Sequence, residues 1–167
     1  MNDLMLFADG SVNTQSKVGY GAYLAVADAD ISLDLLMKQV QVKRFEQTSS
    51  TRLELQALLW ALDDINLPEG KVIVYTDSQN IIGLPGRRER FEKNDYRSKK
   101  NIRLNNYDLY QAFFKITDQL DFELVKVRGH KVSHQKNEID RLFTLVDRAS
   151  RNAQRSDSNN ARTPISF

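Results

Sequence analysis

Apolar residues fall along this chain in short runs of two different periods. Leu4 to Ala8 is a compact apolar run that stops at Asp9-Gly10-Ser11, which predicts a strand leading into a turn. Tyr20 to Val26, rich in β-formers and small residues, predicts a second strand. Val40 and Val42 alternate with polar neighbours up to Phe45 and predict a third. The connections between them are short and lack helical periodicity, so an antiparallel meander is expected. From Ser50 to Ile65 the period changes. Leu55, Leu58, Leu59 and Leu62 recur at helical spacing, Ser50 or Thr51 is available as a cap, and Pro68-Glu69-Gly70 closes the segment.

The second half alternates. Val72 to Tyr75 is a β-branched run that stops at Thr76-Asp77-Ser78, a buried strand giving way to a helix start. Tyr107 to Ile116 reads as a helix and Phe122 to Val127 as a strand. Ile139, Leu142, Phe143 and Val146 mark one face of a closing helix. From Ser156 onward the chain is polar and aperiodic, which predicts a single domain over residues 1–155 and a mobile tail over 156–167. The order β-β-β-α-β-α-α-β-α predicts an α/β fold. Its mixed five-stranded sheet would start as a meander, continue in parallel crossovers and carry helices on both faces.

Composition narrows the chemistry. The 167 residues include no cysteine, which excludes disulfides, thiolate zinc sites and cysteine nucleophiles and fits a reducing compartment. The N-terminus lacks the basic start of a secretory signal, and no apolar run approaches membrane-spanning length, so a cytoplasmic protein without membrane contact is expected. Net charge is only +2, yet the segment from Arg87 to Arg103 holds eight basic residues against three acids. That local excess points to a polyanionic partner or to a solvated face.

Two acids stand directly after predicted strands, Asp9 after the first and Asp77 after the fourth, each followed by a Gly or Ser suited to a tight turn. In open α/β sheets, chemistry gathers beyond the carboxyl ends of the strands. The first and fourth strands are expected to be parallel neighbours, and the helix between the third and fourth can bring Glu54 to the same edge. Three carboxylates sharing one small site repel unless protonated or neutralised by cations. Oxygen-only ligands favour Mg²⁺ or Mn²⁺ over zinc. Two such ions, roughly 3.5–4 Å apart, serve phosphodiester cleavage by activating water and stabilising the leaving oxygen.

At these residues the sequence resembles type 1 ribonuclease H, from about residue 4 to about 153. Phe7-Ala8-Asp9-Gly10-Ser11 resembles the family's first-strand motif and Gly19-Tyr20-Gly21-Ala22 its second-strand motif. Thr51-Arg52-Leu53-Glu54-Leu55-Gln56-Ala57 is similar to the opening of its main helix. Tyr75-Thr76-Asp77-Ser78-Gln79 resembles its Thr-Asp-Ser-Gln, and Val127-Arg128-Gly129-His130 its Val-Lys-Gly-His. Five such matches in order are specific.

The resemblance implies a ribonuclease H-like fold and a monomer acting on RNA–DNA hybrids. The expected reaction is hydrolysis of the RNA strand with two Mg²⁺ (or Mn²⁺) ions, leaving 3′-hydroxyl and 5′-phosphate ends. It carries metal ligation onto Asp9, Glu54 and Asp77 and a proton-transfer or product-release role onto His130. It also implies a fourth acid on the last helix. Asp140 lies ten residues beyond His130, as the family spacing asks, and is the favoured candidate; Asp147 has a similar local pattern but needs seven extra residues. At i, i+7 the two share a helix face about 10.5 Å apart, so only one can readily serve the same site.

By the same resemblance Ser50, Thr51 and Gln79 would hydrogen-bond in the minor groove, where 2′-hydroxyls distinguish RNA from DNA. Arg52 would hold a phosphate of the DNA strand. The basic segment falls where many members carry a tryptophan-rich handle, although the single Trp60 here lies in the main helix. Val12 to Lys17 replaces the family's glycine- and proline-rich turn, and Ser49-Ser50-Thr51 its Thr-Asn-Asn. Both departures touch substrate grip and leave the acids intact. Two other readings are a hybrid-binding module without activity and a different nuclease on the same fold.

Overall fold

The computed structural model describes residues 3–27, 32–128 and 137–162. Five strands form one sheet in the order β3-β2-β1-β4-β5, with β1 Leu4–Asn13, β2 Val18–Val26, β3 Gln41–Phe45, β4 Val72–Thr76 and β5 Phe122–Lys126. β3, β2 and β1 pair antiparallel; β4 and β5 join β1 in parallel. This is the expected mixed sheet with the expected meander.

Alternation along the strands separates two cores. Leu6 and Ala8 of β1 and Tyr23 of β2 pack under helix α2 (Ser50–Asp64), with Leu55, Leu58 and Leu62. Phe7 of β1 and Ala22, Leu24 and Val26 of β2 face the other way, onto helix α6 (Glu138–Arg162) through Leu142, Phe143 and Val146. Asp9, two residues beyond Phe7, falls on the α6 face by the same period of two.

Three features differ from the sequence reading. β1 does not end at Asp9. Its parallel pairing with β4 stops at Phe7↔Tyr75, while its antiparallel pairing with β2 continues to Asn13↔Val18. Gly10 therefore makes no turn. A Cβ there would stand 2.9 Å from the Leu53 side chain, and one at Gly21 would stand 2.8 Å from Ala57 Cβ. These glycines let α2 lie close upon the two central strands, as a side chain at either position would push it off.

The β2–β3 connection contains an unforeseen helix, α1 (Leu33–Gln39), capped by Ser32, whose hydroxyl accepts from Leu35 N–H. Only Leu36 of it is buried; Leu35 and Met37 are 54% and 58% exposed, so no apolar stripe announced it. Finally, α6 continues through residues 156–162, which the sequence assigned to a tail. Polar contacts hold that end: Asn13 Nδ2 donates to Ser158 Oγ at 3.3 Å, and Arg44 pairs with Asp157 at 3.5 Å.

Between β4 and β5 lie α3 (Gln79–Ile82), α4 (Leu84–Lys93) and α5 (Tyr107–Thr117). The basic segment thus comprises α4 and a following loop in which Arg97 and Arg103 form an antiparallel bridge.

Candidate active site

Parallel pairing of β1 with β4 sets Asp9 and Asp77 side by side just beyond the last paired residues, Phe7 and Tyr75. Two helices then bring acids from opposite faces of the sheet. On one face α2 delivers Glu54, and a small pocket is lined by Ala8, Asp9, Glu54, Leu58, Thr76, Asp77 and Ile81. On the other face α6 delivers Asp147, which shares a side-chain hydrogen bond with Asp9. The three core acids named from the sequence are brought together, and the fourth to arrive is Asp147.

Asp140 is occupied differently. Its Oδ2 accepts from Asn137 N–H at 3.1 Å, while Asn137 Oδ1 accepts from Asp140 N–H at 2.9 Å. This reciprocal pair is a capping box at the start of α6. Asp140 is 6% exposed there, and Thr144 Oγ1 donates to its carbonyl at 2.8 Å.

Electrostatics mark Asp9 as the centre of the cluster. Burial pushes its carboxyl up to about 9, with Asp77 and Asp147 adding to the rise and the Gly10 N–H opposing it. The raised Asp9 carboxyl favours its protonated form, which eases the repulsion within the cluster. Glu54 is also raised, first by burial and then by Asp77, while a hydrogen bond from Ser78 works against both. Ser78 is a positioning group that the sequence reading did not single out. Its hydroxyl donates to Glu54 Oε2 at 2.6 Å and accepts from Ile81 N–H at 3.2 Å, so the cap of α3 also fixes Glu54. Asp147 is partly balanced by Arg151, at 3.0 Å.

The donor chemistry fits a hard divalent cation, because the cluster is all carboxylate. Among the described residues no three acids already stand in a ready ligand arrangement, so ligation asks for movement from these positions.

The expected substrate contacts flank this cluster. Ser50 and Thr51 are exposed on the first turn of α2, and Arg52 is half-buried beside them. The cap of α2 is Ser49, whose hydroxyl accepts from Arg52 N–H, and neither Ser50 nor Thr51 is needed for it. Gln79 is exposed at the start of α3, and its Oε1 accepts from Lys126 Nζ at 2.5 Å. A groove lined by Ser49, Thr51, Arg87, Arg90, Asn105 and Asn106 runs from α2 toward the basic segment. His130 and His134 lie outside the described residues. Among the described residues no helix is long and apolar enough to cross a membrane.

The family model described as RNase H matches residues 1–151. A ribonuclease H of Caldanaerobacter subterraneus is 30% identical over 144 residues, covering 83% of this chain and 87% of that protein. One from Thermoanaerobacter sp. strain X514 is 29% identical, covering 83% and 86%. Among solved structures, a foamy viral protease–reverse transcriptase in complex with dsDNA superimposes with a TM-score of 0.61 at 12% identity. That match covers 90% of this chain and 94% of the other, a likeness of fold. With strand order and family match in agreement, the chain belongs to the RNase H family.

Proposed function

We propose that this protein hydrolyses the RNA strand of RNA–DNA hybrids at the cluster of Asp9, Glu54, Asp77 and Asp147, leaving 3′-hydroxyl and 5′-phosphate ends. The observation that carries this reading is the convergence of carboxylates from both faces of the sheet on Asp9, whose carboxyl is pushed up to about 9 by burial beside Asp77 and Asp147. Such a cluster opposes folding and is explained by a cationic occupant. Its oxygen-only donors suit Mg²⁺ or Mn²⁺, and two such ions, when bound, would supply an activated water and charge neutralisation at the leaving oxygen.

Each protein group then has a role. Asp9 and Asp77 hold the occupant at the strand ends. Glu54 completes the set from α2, oriented by Ser78. Asp147 takes the place that the sequence reading favoured for Asp140, because its side chain meets Asp9 whereas that of Asp140 closes the α6 cap. To His130 we assign the exchange of protons with the reacting groups, a role suited to an imidazole.

Ser50, Thr51 and Gln79 read the 2′-hydroxyl side of the minor groove. With Lys126 donating to Gln79 Oε1, the amide N–H₂ of Gln79 is turned to serve as the donor. Arg52 holds a DNA-strand phosphate, and the groove toward Arg87 and Arg90 continues the phosphate path.

The test is cleavage of one sequence as RNA–DNA, RNA–RNA and DNA–DNA duplexes, with Mg²⁺, Mn²⁺ or chelator. Cutting confined to the RNA of the hybrid, lost in chelator, with 5′-phosphate on the product, is the expected result. Cutting of DNA–DNA, or cutting in chelator, contradicts the reading. Tight hybrid binding without cutting would make the protein a binding module instead.

A further inference from the structure

Arg52 does not project alone. Its Nη1 donates to Asn106 Oδ1 at 3.3 Å and to Asp108 Oδ1 at 3.2 Å, and its Nη2 donates to Asp108 Oδ2 at 3.0 Å. A guanidinium carries five N–H donors in one plane. These three contacts use both Nη1 protons and one of Nη2. What remains is Nε–H and the outer Nη2–H, parallel on one edge, and neither is engaged among the described residues. Two parallel N–H groups on one edge form the fork that binds a single oxyanion.

The residues behind Arg52 are arranged for this at some cost to their own helix. Asn106 is the N-cap of α5, and Asn is a strong capping residue, yet its side chain makes no capping bond. Its acceptor is given to Arg52 instead. Asp108 stands in the first turn of α5, where a carboxylate is favoured by the helix dipole. The Arg52 guanidinium holds it below the ordinary carboxylate range. Asn106 also lines the groove shared with Ser49, Thr51, Arg87 and Arg90, so the clamp borders the path that a nucleic-acid backbone would follow.

We propose that Asp108, together with Asn106, is a positioning residue that fixes Arg52 so that its open Nε–Nη2 edge receives a phosphate of the hybrid's DNA strand. This rests on the hybrid-cleaving reading above. The arrangement has an opposite interpretation with an opposite sign: Asp108 would compete with the phosphate for Arg52 and weaken substrate binding. Removing Asp108 separates the two, since a lost positioner weakens binding and a lost competitor tightens it.

The experiment measures dissociation of a fluorescein-labelled RNA–DNA hybrid by anisotropy in chelator over a range of salt, and kcat and KM separately in Mg²⁺. It compares wild type, Arg52→Ala, Asp108→Asn, Asp108→Ala and the Arg52→Ala/Asp108→Ala double variant. Arg52→Ala is expected to weaken binding ~10-fold and to reduce the salt slope by about 1, the mark of one lost phosphate contact. Asp108→Ala should weaken binding roughly 3–10-fold, acting on KM more than on kcat. Asp108→Asn keeps one acceptor and should fall between it and wild type.

The double variant should bind no worse than Arg52→Ala alone, an equality that a general loss of stability would not produce. Tighter or unchanged binding in both Asp108 variants, or additive losses in the double variant, overturns the proposal. Asp108→Asn, nearly isosteric, decides the matter should the alanine variant fail to fold. If wild type binds the hybrid without cutting it, the cleavage reading falls while the binding series still judges the clamp. If Arg52→Ala changes nothing while cutting proceeds, only the clamp falls.

Discussion

Two turns of helix α6 carry an aspartate in nearly the same local setting, Ile139-Asp140-Arg141-Leu142 and Val146-Asp147-Arg148-Ala149. Their fates differ. Asp140, in the first turn, closes a capping box with Asn137 and satisfies the helix that bears it. Asp147, two turns on, meets another acid, and the neighbouring Arg151 balances it in part. A carboxylate that satisfies its own helix stabilises; one that is pressed against a second carboxylate destabilises and needs another reason to be there. That contrast, more than position along the chain, is the ground for proposing Asp147 rather than Asp140 as the acid that serves the site.

The comparison breaks most visibly through activity. Asp9→Asn is expected to lower kcat on the hybrid by ~10³-fold or more, since it removes the acid on which the others converge. Asp147→Asn should cost at least ~100-fold in kcat, and Asp140→Asn less than ~5-fold. Single-turnover cleavage assays measure all three. Similar losses at 140 and 147 would erase the distinction.

Stability should move the other way. Asp9→Asn is expected to stabilise the metal-free protein by about 1–3 kcal/mol at pH 8, because it removes a carboxyl that must take up a proton to be buried among like charges. Asp140→Ala should cost ~1 kcal/mol through the lost capping box, a fall of roughly 2–4 °C in Tm. Denaturant melts in chelator check both, and a destabilised Asp9→Asn would count against the cluster's being a strained site.

The dependence on pH gives a smaller, continuous version of the same test. Asp9 is raised from the ordinary carboxylate range near 4 to about 9, so folding favours its protonated form. Its contribution is fully present below pH ~4 and is lost as pH rises toward 9. Glu54, also raised, acts in the same direction. Asp108, held low by Arg52, contributes stability that is lost only as pH falls below the ordinary range, outside this window. The metal-free protein should therefore lose ~1 kcal/mol or more between pH 5 and pH 9, and Asp9→Asn should flatten most of that slope.

Much of this was legible from the residues, for identifiable reasons. The near-continuous apolar runs Leu4–Ala8 and Tyr20–Val26 reflect a sheet buried on both faces, and Leu55, Leu58 and Leu62 mark a helix with one buried side. Asp9, Glu54 and Asp77 could be grouped because strand direction makes neighbours of the first and fourth strand ends and the helix before the fourth strand reaches the same edge. Helix α1 could not be read, as only Leu36 of its apolar residues is buried and no stripe exists to detect. The role of Gly10 is hidden in the sequence because a glycine after an acid resembles a turn, while here it makes room for Leu53. Residues 156–162 are helical through polar contacts of Asp157 and Ser158, which hydrophobic periodicity does not see.

The choice on α6 turned on a count from His130, and loop length is a weak ruler. A better signal was present. Asn137 lies three residues before Asp140, the spacing of a capping box, and that pattern already assigned Asp140 to the helix start.

The most direct test of which acid serves the site is a Mg²⁺ titration of protein carrying ¹³C-labelled aspartate carboxyls, followed by NMR. The carboxyl carbons of Asp9 and Asp147 are expected to shift together and saturably, while that of Asp140 stays in place. A shift at Asp140 with Asp147 unmoved would contradict the account.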